Sequence, residues 1–129
     1  MDISGAWLGT YWQGDSPTRF EATLVLGDNR LSGSILDDNA LGEARISGEV
    51  IGRSIRFTKR YLTSSPMPID YVGTISEDAN SMSGSWQIDQ KHSGRWEAHR
   101  SNQDLMAELR NRIAQKVPAG VSQSAVNQL

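Results

Sequence analysis

Residues 43–62 read EARISGEVIGRSIRFTKRYL. Ala44, Ile46, Gly48 and Val50 alternate with Arg45, Ser47 and Glu49. After Gly52-Arg53 the period resumes, with Ile55, Phe57, Lys59 and Tyr61 set against Arg56, Thr58 and Arg60. A period of two puts successive side chains on opposite faces of a strand, and a short break carrying glycine is a hairpin turn. The stretch is therefore a pair of antiparallel strands with one apolar face. A glycine on that face is unexpected, because glycine weakens a strand. It is also not isolated: Ile46-Ser47-Gly48-Glu49 has counterparts in Leu31-Ser32-Gly33-Ser34 and Met82-Ser83-Gly84-Ser85.

The same alternation extends over the first hundred residues. It predicts strands at 4–12, 19–27, 30–36, 43–51, 54–62, 69–76, 81–88 and 93–100. Turn-forming residues separate them, including Gly14-Asp15-Ser16-Pro17, Gly27-Asp28-Asn29, Asp37-Asp38-Asn39, Pro66-Met67-Pro68 and Glu77-Asp78-Ala79-Asn80. Strands so evenly spaced suit an antiparallel meander, and eight of them can close on themselves and remove the exposed edges. The expected fold is all-β, an eight-stranded antiparallel up-and-down β-barrel over residues 1–100 followed by a C-terminal α-helix. The helix is expected over 101–117, where Ser101 or Asn102 can cap it and Leu105, Leu109, Ile113 and Val117 form one apolar stripe. Pro118-Ala119-Gly120 ends it, and 118–129 reads as a flexible tail.

Gly33, Gly48, Gly73, Gly84 and Gly94 all fall on the apolar faces. A small barrel gives them two uses. They allow sharp bending, and they leave room for large rings in a narrow interior. On the first strand the same logic turns Gly5, Trp7, Gly9 and Tyr11 inward and Leu8 and Trp12 outward. The links at 27–29, 52–53 and 77–80 are short and share one end, the base. Those at 13–18, 37–42, 63–68 and 89–92 are mostly longer and share the other end, the mouth.

With 129 residues the chain is long enough for one hydrophobic core. A net charge of -2 and the absence of any basic run argue against nucleic acid as a partner. Disulfides and thiolate chemistry are excluded because there is no cysteine. MDISGAWLGT has neither the basic nor the apolar segment of a signal peptide, and no stretch is apolar enough to span a membrane as a helix. A cytoplasmic location is expected.

Trp7 begins the first strand and Arg100 ends the last. Closure makes these strands neighbours, so Arg100 can stack on the indole and close the base through a cation–π contact. Gly5-Ala6-Trp7 with the matching Arg100 resembles the closing arrangement of the calycins, the lipocalin and avidin-like barrels. The resemblance covers about residues 4–100 and implies the barrel. It is nearest to a short bacterial lipocalin-like domain. The chain departs from secreted lipocalins in its missing leader and cysteines and its short strands. No avidin-type biotin site matches residue by residue, so the resemblance implies no ligand.

Several inward residues near the mouth are candidates for ligand binding: Tyr11, Lys59, Tyr61 and Tyr71, with Trp86 and Trp96 beside or below them. An inward Lys59 without a partner is costly. It either meets an anionic ligand among flat aromatic walls or reaches solvent at the rim while the tyrosines cap an ordinary core. His92 and His99, in a loop and on the outer face, offer no metal or haem site, so neither a metal nor a cofactor is expected. Asp37-Asp38 and Glu77-Asp78 read as turn chemistry. No nucleophile, phosphate-loop or dinucleotide motif is present, and a non-catalytic role is preferred to an enzyme.

Two readings follow. The first is a small-ligand-binding barrel whose ligand, partly aromatic or anionic, enters at the long-loop end. The second is a protein-interaction or homo-oligomerisation module with a filled barrel. The stripe of Leu105, Leu109, Ile113 and Val117 would then pack on Leu8, Trp12 or Val25 of the same chain or pair with a second copy.

Overall fold

The computed structural model describes residues 2–63 and 67–101. Eight strands, β1 (Gly5–Gln13), β2 (Ser16–Gly27), β3 (Arg30–Asp37), β4 (Glu43–Ile51), β5 (Ser54–Tyr61), β6 (Ile69–Ile75), β7 (Ser81–Gln87) and β8 (Ser93–Arg100), form a closed barrel. Each pairs antiparallel with its neighbours in sequence, and β1 closes on β8. No helix among the described residues is long and apolar enough to cross a membrane. The helix expected over 101–117 and the tail at 118–129 lie, beyond Ser101, outside the described residues.

The mouth link between β1 and β2 is shorter than its sequence suggests. Gln13 pairs with Ser16, leaving only Gly14-Asp15 to turn. Gly14 takes a φ of +60°, the left-handed conformation that a two-residue hairpin requires. Pro17 is accommodated inside β2 because β3 begins to pair only at Phe20, so at Pro17 the strand has β1 as its one neighbour.

Alternation sorts the faces as expected. Trp7, Tyr11, Leu24, Leu31, Ile46, Val50, Ile55, Phe57, Trp86 and Trp96 are among the buried side chains. The inward glycines serve both predicted purposes. Gly73 and Gly84 face each other across β6 and β7, and a Cβ on Gly84 would run into the Val72 carbonyl and lie 2.5 Å from the Gly73 Cα. Strands curve too tightly there for any side chain. At Gly94 a Cβ would sit 2.6 Å from Trp86 Nε1, and at Gly73 it would sit 2.8 Å from Trp96 Cζ2. The indoles occupy the vacated space, and both donate to main-chain carbonyls, Trp86 to Trp12 and Trp96 to Val72, each at 3.0 Å. Buried indole N–H groups are thus satisfied without polar side chains in the core.

The rows of paired residues climb around the barrel. One row runs Trp7, Ala22, Ile35, Ala44, Tyr61, starting at the base of β1 and arriving at the mouth end of β5. This stagger, the shear that closure demands, brings the ends of odd-numbered strands together inside the mouth.

Candidate functional site

Inside the mouth, Lys59 of β5 is fully buried, and its ammonium is bonded by both oxygens of Asp37 at the end of β3. Nζ lies 2.8 Å from Oδ1 and 2.9 Å from Oδ2, and both side chains are 0% exposed. Asp37 Oδ2 also accepts from Tyr11 Oη at 3.0 Å and from the Tyr61 hydroxyl in a short contact. Asn39, in the loop after β3, donates to Tyr11 Oη at 3.1 Å, while its own Oδ1 accepts the Leu41 N–H at 2.9 Å and so holds the loop in place. The ammonium faces three rings, with Nζ 4.8 Å from the centroids of Tyr11 and Tyr61 and 5.8 Å from that of Tyr71. These are all the tyrosines in the chain.

The electrostatics follow from burial. Desolvation pushes the Lys59 ammonium below its ordinary value, and the Asp37 charge and hydrogen bonds pull it back. All three phenols are raised, chiefly by burial. For Tyr61 the bond to Asp37 adds to the effect, and for Tyr71 the Asp37 charge does. The tyrosines are held as neutral donors and ring walls, and none is poised to lose a proton.

Two sequence expectations need correction. Lys59 neither reaches solvent nor lacks a partner, because Asp37 meets its charge inside the barrel. Nor is Asp37 a turn residue. β3 runs one residue beyond the expected end, and Asp37 is the last member of the inward series Leu31, Gly33, Ile35, Asp37. Asp38 does face solvent. Continuing the β3 alternation by one step was the signal that would have found the partner.

The other named residues divide into two groups. Tyr11, Lys59, Tyr61 and Tyr71 form the cluster. Trp86 stands edge-on to Tyr11 with centroids 6.4 Å apart. Trp96 lies deeper, edge-on to Tyr71 and to Phe57 at 5.7 Å in both cases. Phe57 and Tyr71 stack at 4.8 Å, so the centre of the barrel is filled with rings. Among the described residues, a slot of about 90 Å³ lies at the mouth, lined by Tyr11, Tyr61, Tyr71, Trp86, Leu41 and Ile88 among others.

Trp7 and Arg100 meet at the base, with the guanidinium carbon 5.0 Å from the indole centroid. Arg100 Nε donates to the Ala79 carbonyl at 3.0 Å, and its terminal nitrogens donate to the carbonyls of Ser4 at 3.0 Å and Asp2 at 2.6 Å. Trp7 Nε1 donates to the Ile3 carbonyl at 2.9 Å, so the pair ties the N-terminal segment beneath the barrel. His92 and His99 are exposed, and the described residues contain no group of three side chains able to hold a metal ion.

No family model matches the chain, and no curated protein matches it. Among solved structures it is similar to a de novo designed fluorescence-activating β-barrel. That match has a TM-score of 0.55 and 16% identity over 76% of this chain and 93% of that one. The likeness shows the fold, a small closed antiparallel barrel.

Proposed function

We propose that this is a calycin-like barrel that binds a small, largely apolar or aromatic group at its mouth, without catalysis. The observation that carries the reading is the slot of about 90 Å³ at the mouth lined by Tyr11, Tyr61, Tyr71, Trp86, Leu41 and Ile88. An engineered apolar cavity of about 150 Å³ holds a whole benzene, so a slot of about 90 Å³ suits the edge of one ring or a short alkyl end, with the rest of the molecule projecting from the mouth. The anionic half of the expectation loses its basis, because the charge of Lys59 is already met by Asp37. What the ion pair contributes is rigidity: it fixes the phenols that wall the slot before any ligand arrives, which lowers the cost of ordering them on binding.

The probes that test this are phenol and indole, titrated to millimolar concentration against isotope-labelled protein. The expected result is a saturable shift of the Trp86 indole N–H and of the Leu41 and Ile88 amides. The response should be lost when Ile88→Trp fills the opening. If neither probe moves these signals, the proposal fails. The second reading, an interaction module with a filled barrel, draws support from the packed centre and from the exposed Leu8 and Leu36 side chains on the outer wall.

A further inference from the structure

On the outside of the barrel, where the seam closes, β8, β1, β2 and β3 form a groove of about 620 Å³. Two rows of outward side chains line it. Leu36, Glu21, Leu8 and His99 are consecutive cross-strand partners in one row, and Arg19, Thr10 and Glu97 are partners in the next. Leu8 and Leu36 are 46% and 53% exposed and flank Glu21 in that row. Glu21, Asp38 and Glu97 also line the groove, and none of the three makes an ion pair among the described residues.

The end of the described chain lies beside this groove. Ser101 N–H donates to the Ala6 carbonyl at 2.7 Å, continuing the β8–β1 ladder, and Leu8 is the next outward residue of β1. From there residues 102–129 follow. Their first sixteen read NQDLMAELRNRIAQKV, with Leu105, Leu109, Ile113 and Val117 in one stripe. At about 100° per residue, Arg112 would border one edge of that stripe and Arg110 the other, Lys116 would project within its last turn, Glu108 would lie beyond Arg112, and Asp104 and Asn111 would fall on the opposite face. Length agrees as well. Twelve rises of about 1.5 Å carry the stripe some 18 Å, and four strands at about 4.8 Å spacing span roughly 14 Å.

We infer that residues 102–117 dock along this groove of their own barrel, the apolar stripe covering Leu8 and Leu36 and the flanking basic residues facing Glu21, Asp38 and Glu97. The inference does not rest on ligand binding at the mouth, which lies inside the barrel wall.

The chain has no cysteine, so Asn111→Cys gives one attachment point for a spin label on the face turned away from the groove. In full-length, isotope-labelled protein the amide signals of Leu8, Thr10, Glu97 and His99 should lose most of their intensity, while those of Ser47 and Val72 across the barrel keep theirs. Leu8→Glu, a change at an exposed site, should restore the lost signals. Full intensity at the seam, or loss centred elsewhere on the barrel, overturns the inference. So does loss seen only when isotope-labelled chains without the spin label are mixed with unlabelled spin-labelled chains, which would assign the segment to a second copy.

Discussion

Lys59→Met tests the mouth cluster most directly. The substitution keeps the apolar stem and its volume and removes only the ammonium. Asp37 is then left buried, with its Oδ2 still accepting from Tyr11 and Tyr61 and its Oδ1 without the one partner it has in the described structure. Two charge-assisted hydrogen bonds at about 1.5–3 kcal/mol each bracket the loss at roughly 3–6 kcal/mol. The cost of breaking a buried pair by removing one partner, about 3–5 kcal/mol, falls in the same range. For a domain of about this size each kcal/mol lowers Tm by about 4–8 °C, so a fall of at least about 12 °C is expected. Removing both charges in Lys59→Met/Asp37→Leu should cost at least about 1 kcal/mol less than the single change, because an apolar pair of similar volume needs no counter-charge. It will not be free, because Tyr11 and Tyr61 both lose the carboxylate that accepts their hydroxyls. Urea unfolding followed by the fluorescence of the four tryptophans measures the wild type, Lys59→Met, Asp37→Leu and the double variant at neutral pH. A loss below about 1 kcal/mol for Lys59→Met, or a double variant equal to the sum of its singles, would refute the reasoning, since contacting charges must couple.

Alkaline pH should expose the tyrosines as a group. Their folded values are raised above the ordinary 10.0, so the unfolded chain gives up phenolic protons first; stability from these groups is complete below about pH 10 and falls as pH rises beyond it. A spectrophotometric titration should show tyrosinate appearing together with unfolding, and a separate phase while the fold persists would contradict their burial. Gly84→Ala should destabilise the barrel by about 1–3 kcal/mol or more, because its Cβ meets backbone on β6. Gly27→Ala, with open space around it, should stay within about 0.5 kcal/mol in the same thermal melts. Arg100→Lys should lose about 1–2 kcal/mol despite keeping the charge, because one ammonium cannot serve the carbonyls of Ala79, Ser4 and Asp2 together; wild-type stability in that variant would show that the guanidinium fork is not needed at the base.

The local parts of this protein were legible from its residues alone. Period-two alternation located all eight strands and sorted their faces, because side-chain direction along a strand is a property of the strand itself. The glycines on the apolar face announced tight curvature and large rings, and Trp7 with Arg100 marked the two strands that meet. What the sequence left open was which inward residues would meet. Lys59 and Asp37 lie on strands separated by β4, and their contact depends on how far the paired rows climb as the barrel closes. That stagger belongs to the closed sheet and to no single strand. It converts a lysine that looked unpartnered, and an aspartate that looked like part of a turn, into one buried ion pair ringed by every tyrosine in the chain. The volume left at the mouth was decided in the same way, because glycine gaps and indole rings fix the free space only once the strands have taken their register.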